Sequence, residues 1–353
     1  MRTDPRWLDP YTGRATPPVG RRTGQGPARI AVYGDVRGER EKHRAVVHAI
    51  RVARPDLVVF TGDALHCLPV AHMPDFGLAT YLIPFWPQYV RGYPWASLLT
   101  VVPFPALVHE TLGRSLAPPR DHDGFNGFLE DTAPLRLDDR TAFVFVPGNH
   151  DLYHRADRRE VARLFVPKES DRREEELFFS IDIAGYRLHA LDTGSDLLGD
   201  DDPITGDSRQ LMWLDASLAD AEKNGLRSIV AMHLPPYSSG AEDEPSPAVR
   251  DRVGKGILDK HDVALVLGGH SHAYERLERA GYRGRRVTHV VTGGGGAPFH
   301  HEVAEGKREA GSKVFVEETT HFVLLDLGDN EVRGRMVPVA GGDRGDEFVA
   351  RPE

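Results

Sequence analysis

Five short apolar runs in this 353-residue chain each end on a side chain able to bind a metal ion. IAVYG leads into Asp35, DLVVFTG into Asp63, AFVFVPG into Asn149, SIVAM into His233, and VALVLGG into His270 and His272. The runs are nearly continuous rather than alternating, as expected for strands buried on both faces under helices. In such sheets ligands gather beyond the carboxyl ends of the strands, so the five loops are expected to converge on one crevice.

Helical spacing occupies residues 39–53, 156–165, 207–223 and 246–261, between those runs, which sets up a βαβ rhythm. Residues 186–191, 286–292, 321–327 and 331–337 are expected as strands joined by turns, nearer to antiparallel pairing. The expected fold class is therefore α/β, a two-sheet sandwich flanked by helices.

The composition narrows the partners. With 44 Lys and Arg against 53 Asp and Glu, and a net charge of −9, the chain lacks the excess of cations that a general grip on nucleic acid or anionic lipid requires. The single cysteine, Cys67, excludes an internal disulfide framework, and the first twenty residues lack the apolar centre of a signal peptide, so a cytoplasmic location is expected. Residues 1–28, rich in Pro, Gly and Arg, are expected as an arm before a domain spanning 29–338, and 339–353 as a polar tail.

Eighty-six positions separate Asp63 from Asn149, far more than a crossover between strands needs. An insertion over about 67–138 is expected to cap the core. Its stretch 76–108 carries one formal charge, Arg91, and prolines at 84, 87, 94, 103 and 105 break any helix of bilayer-spanning length. An apolar contact with lipid or a second subunit through 76–108 stays open beside the cap.

The six side chains make one chemical set. Two cations about 3.5–4 Å apart need a bridging carboxylate, further oxygen donors and several imidazoles. Asp63 can bridge with its two oxygens, Asp35 and the Asn149 amide oxygen can each serve one ion, and His233, His270 and His272 suit zinc, iron or manganese alike.

In order and spacing these blocks resemble the calcineurin-like metallophosphoesterase superfamily: Gly34-Asp35, Gly62-Asp63, Gly148-Asn149-His150-Asp151, His233 and Gly269-His270-Ser271-His272. The longer strings from Val230 to Tyr237 and from Gly269 to Arg276 resemble its purple acid phosphatase branch. The resemblance covers most of 29–338 outside the insertion. It implies two metal ions and hydrolysis of a small phosphate ester by hydroxide bound at the metals, with no covalent enzyme intermediate. Asp35, Asp63, His66 and His272 would hold one ion, and Asp63, Asn149, His233 and His270 the other.

Two positions depart from that pattern. The superfamily commonly has Asp-x-His in its first block, whereas this chain has Asp35-Val36-Arg37. A guanidinium offers no lone pair to a metal, but its fork suits a phosphate, so Arg37 is expected to bind substrate. Where the purple branch carries a tyrosine ligand, three residues after the bridging Asp, this chain has His66, expected as the substitute ligand. No purple colour is then expected, and divalent pairs are favoured. His150 is expected as the general acid toward the leaving group, with Asp151 orienting its imidazole. A phosphomonoesterase is the leading expectation. Beside it stand a phosphodiesterase acting on nucleotides or lipid head groups, and a catalytically silent binding module on the same scaffold.

Overall fold

The computed structural model describes residues 27–65 except 38, 125–166 except 153 and 154, then 176–193, 208–240, 246–299, 308–341 and 345–350. His66, Cys67, most of the expected arm and the apolar stretch 76–108 lie outside the described residues.

Thirteen strands form two mixed sheets among the described residues. The first contains β1 (Ala28–Tyr33), β2 (Leu57–Phe60), β3 (Ala142–Phe145), β11 (Thr319–Leu327), β12 (Val332–Gly341) and β13 (Glu347–Ala350), in the order β13-β12-β11-β1-β2-β3. The second contains β4 (Phe179–Ile183), β5 (Tyr186–Ala190), β6 (Arg227–Ala231), β7 (Val263–Gly268), β8 (Tyr274–Ala280), β9 (Arg286–Thr292) and β10 (Ser312–Val316), in the order β10-β8-β9-β7-β6-β5-β4. Strands β1, β2 and β3 run parallel, as do β5, β6, β7 and β9. The continuous apolar runs are these parallel strands, and every residue of β2 and β7 is buried.

Helices α1 (Arg40–Ala53), α2 (Asn126–Arg136), α3 (Arg155–Phe165) and α4 (Arg209–Lys223) flank the sheets. Helix α4 starts where Ser208 Oγ accepts the Leu211 N–H, a side-chain N-cap. Tyr33, Phe60, Phe125, Phe128, Phe143, Phe145 and Phe165 form a run of ring contacts where α2 and α3 meet β1–β3. A second core joins α4 to β6 and β7 through Leu211, Leu214, Leu218, Val230 and Val266.

Three segments differ from expectation. Residues 126–136, assigned to the insertion from sequence, form α2, whose Phe128, Leu129 and Leu135 are buried in the core unit. The segment 246–261 is not one α-helix. It forms a π-helical turn over Val249–Lys255 and a 3-10 turn over Leu258–Lys260, with Gly254 tight against the Tyr237 ring. The expected polar tail supplies β13, which pairs with β12 and buries Phe348 and Ala350.

Candidate metal centre

Three of the ligand loops turn sharply as they leave their strands. Asp35, Asp63 and His270 all adopt the left-handed backbone region, at φ 62°, 61° and 70°, which costs a non-glycine residue of order 1–3 kcal/mol and persists only where surrounding bonds hold it. Those bonds are present. The Asp35 N–H donates to the Gly62 carbonyl, and the Val36 and Arg37 N–H groups donate to the Asp63 carbonyl. The His270 N–H donates to the Asp35 carboxylate, at 3.1 and 3.0 Å from its two oxygens, joining the end of β1 to the end of β7.

The donor atoms converge in two groups that share Asp63. In one, His233 Nε2 lies 2.9 Å from Asn149 Oδ1 and 3.4 Å from Asp63 Oδ1. In the other, a donor atom from each of Asp35, Asp63 and His272 lies within 4.8 Å of the rest, with His272 Nε2 3.6 Å from Asp35 Oδ1. All five residues are buried. The His270 ring packs edge-on to His233, with centroids 5.1 Å apart.

Two backbone carbonyls fix the imidazoles. His233 Nδ1 donates to the Thr61 carbonyl at 2.8 Å, and His272 Nδ1 to the Pro298 carbonyl at 2.5 Å. Each Nε2 therefore presents a lone pair to the centre, the arrangement that metal-ligating histidines require. The residues present thus fit a pair of cations: oxygen and imidazole donors are preset around a shared carboxylate.

The shared carboxylate is held ionised. Burial alone would raise its pKa, but the positive charge that the His150 and His233 rings carry when protonated, the Arg37 guanidinium and the His150 N–H hold Asp63 well below the usual carboxylate range.

The family model for calcineurin-like phosphoesterase matches residues 28–274. The chain belongs to the calcineurin-like phosphoesterase family. Purple acid phosphatase 22 of Arabidopsis thaliana is 26% identical to it over 185 residues, 49% of this chain and 40% of that protein. Purple acid phosphatase 21 of the same plant is 26% identical over 163 residues, 44% of this chain and 35% of that protein. The matched region thus spans less than half the length of either relative. Among solved structures, a dimetal phosphatase from Danio rerio superposes with a TM-score of 0.53 at 14% identity, covering 92% of this chain and 99% of that one. GAP50 of Plasmodium gives 0.55 at 14% identity, covering 93% and 89%. At such identity these two establish the fold.

In this calcineurin-like phosphoesterase, five of the seven residues expected as ligands, Asp35, Asp63, Asn149, His233 and His272, come together, and the His270 ring lies against that of His233. His66 lies outside the described residues. His150 borders the centre, its N–H donating to Asp63 Oδ1 at 2.9 Å and its Nε2 3.8 Å from Asp63 Oδ2. Arg37 stands beside it, with a terminal nitrogen 3.5 Å from His150 Nδ1 and a buried Nε that has no hydrogen-bond partner.

Asp151 requires a correction. Its carboxylate does not orient the His150 ring, because both oxygens accept backbone N–H groups, from Asp63, Ala64, Leu65 and Gly148. Burial and the Asp63 charge push its pKa up, against the pull of those N–H groups. Sequence reasoning also missed Thr193, whose Oγ1 accepts the N–H groups of His233 and Leu234 at 3.1 and 2.9 Å. A hydroxyl that serves backbone donors leaves no spacing pattern by which it could have been found.

Proposed function

We propose that this protein hydrolyses phosphate monoesters at a dinuclear metal centre. The convergence of Asp35, Asn149, His233 and His272 on the shared Asp63 carboxylate, with both imidazole tautomers fixed, carries the reading. Bound there, two cations would supply positive charge against the phosphoryl oxygens and a water whose pKa is lowered toward neutrality. Asp35, Asp63, His272 and, from sequence, His66 would hold one ion; Asp63, Asn149, His233 and, from sequence, His270 would hold the other.

The remaining steps belong to side chains. Arg37, whose guanidinium stands beside His150, offers its fork to a non-bridging phosphoryl oxygen. Because a guanidinium only donates, its contact with His150 Nδ1 leaves the ring proton on Nε2, the nitrogen on the Asp63 side. To act as general acid the ring first takes up a proton on Nδ1, opening its contact with Arg37. The imidazolium then passes the Nε2 proton to the leaving oxygen and returns to the neutral form. A fixed positive charge in place of the neutral imidazole of the common pattern favours the dianionic monoester over a monoanionic diester.

Metal analysis, then a panel of nitrophenyl mono- and diesters with manganese, zinc or iron, tests this reading. Monoester turnover that needs metal is expected. Arg37→Met should cost the monoester roughly 10²-fold or more in kcat/KM, and a diester less. Equal losses on both esters would refute the Arg37 role. Faster diester turnover in the wild type would favour the diesterase, and metal binding without turnover on any ester the silent module.

A further inference from the structure

The carboxylate of Asp151 ties together the two loops that carry Asp63 and Asn149. Asp151 is fully buried on the short 3-10 turn Asn149–Asp151. Its Oδ2 accepts the N–H of Asp63 and that of Gly148, both at 2.9 Å. Its Oδ1 accepts the N–H of Ala64 at 3.0 Å and that of Leu65 at 3.2 Å. Three of the four donors leave β2 and the fourth leaves β3. One side chain thus satisfies four backbone groups that the loops could not pair within themselves.

Asp63 gains most from this. Its backbone is held at φ 61°, its N–H is bound by Asp151, its carbonyl accepts Val36 and Arg37, and its own Oδ1 accepts the His150 N–H. Each neighbouring ligand loop therefore grips the bridging residue by a backbone bond. Of these attachments, the one made by a replaceable side chain is Asp151.

We propose that Asp151 is the positioning residue of the metal centre: it presets the bridging Asp63 and the Asn149 loop before any ion arrives. The inference rests on the dinuclear reading above. It follows that Asp151 acts on metal affinity through Asp63, without touching substrate. Asparagine has nearly the same shape but only one acceptor oxygen, and its NH2 group would face backbone donors. In Asp151→Asn two of the four N–H groups lose their acceptor.

Titration of metal-stripped protein with Mn²⁺ tests this, read by calorimetry and by the rise in melting temperature that the ion produces. Asp151→Asn should bind Mn²⁺ about 10–100-fold more weakly than wild type, the usual cost of losing a group that holds a ligand in place. A purely structural loss lowers the melting temperature with and without metal by the same amount. A positioning loss also narrows the gap between the two. Equal Mn²⁺ affinity in wild type and Asp151→Asn overturns the proposal and leaves the metal centre standing. A wild type that binds none of Mn²⁺, Zn²⁺ and Fe²⁺ removes the metal centre itself.

Should Asp151→Asn not fold, hydrogen exchange of the metal-free wild type decides. Slow exchange of the amides at 63–65 and 148, little changed by Mn²⁺, is the expected result. Fast exchange that becomes slow only when Mn²⁺ is added overturns the proposal, since the loops would then be set by the ion.

Discussion

Gly148 stands between two metal loops with no room for a side chain. Its φ of −97° is open to any residue, so the constraint is space. A Cβ built there would press into the Asp63 carboxylate, with Cγ at 3.0 Å. Gly62 is constrained twice, by a φ of 101° and by a Cβ that would lie 2.7 Å from His233 Nδ1. Gly148→Ala should therefore displace Asp63 and lower bound metal by at least about tenfold in affinity, measured by equilibrium dialysis with elemental analysis. Undiminished metal content would show that the loop can yield. At this scale the ligands were legible, because donors placed behind buried strands announce themselves by chemistry. The supports were not. Thr61 and Pro298 act through carbonyls, which every residue carries, and the donors to Asp151 are backbone N–H groups without sequence identity.

One buried carboxylate fastens α1, the helix that follows the Arg37 loop, to α2. Asp131 on α2 accepts Arg40 at 3.1 and 2.8 Å and Arg44 at 2.7 Å, and lies 3.4 Å from His43 Nδ1. Burial would raise the Asp131 pKa, but the adjacent His43 ring and the bonds from Arg40 and Arg44 hold it below the usual carboxylate range. Both arginines are partly exposed, so solvent screens part of the attraction. Asp131→Asn should cost about 2 kcal/mol in chemical denaturation, most of it from the buried hydrogen bonds. A loss below about 0.5 kcal/mol would mean the arginines find other partners without cost. Helix α1 was legible from its amphipathic spacing. Helix α2 was not, since its burial depends on Phe60 and Phe145 from distant strands. Strand β13 has only four residues, too few to show alternation, and its place is secured by Asp346, which accepts Tyr274 Oη and Arg276 Nε at 2.6 Å from the other sheet.

Across the whole molecule, the two sheets were foreshadowed by the change from continuous apolar runs to later antiparallel segments. Their closure was not, because β11 lies beside β1 with Ala28 opposite Leu327, a pairing that no local pattern records. Both sheets also bury histidines outside the metal centre. Burial pushes His189 on β5 and His289 on β9 down to about 3, and His321 on β11 down to about 4. In the unfolded chain each returns to its ordinary value near 6.5. The unfolded state therefore binds more protons below that value. The histidine share of stability is complete above pH 6.5 and falls as pH drops toward 4, by up to about 1.4 kcal/mol per pH unit for each histidine. Asp151, pushed up to about 8 by burial and the Asp63 charge, offsets one histidine's worth over the same range. Asp131, whose pKa is depressed, adds its loss only below about pH 4, outside this window. Urea unfolding of metal-free protein at pH 7.5, 6.0 and 5.0 should show the steepening, and a flat profile would contradict it. His289 isolates one share of the effect, because its Nδ1 is buried without a partner and its ring stands edge-on to Tyr237. His289→Phe keeps the ring contact and removes the proton site. It should hold or gain stability at pH 7.5 and weaken the acid slope by one histidine's worth. An unchanged slope would place the lost protons elsewhere.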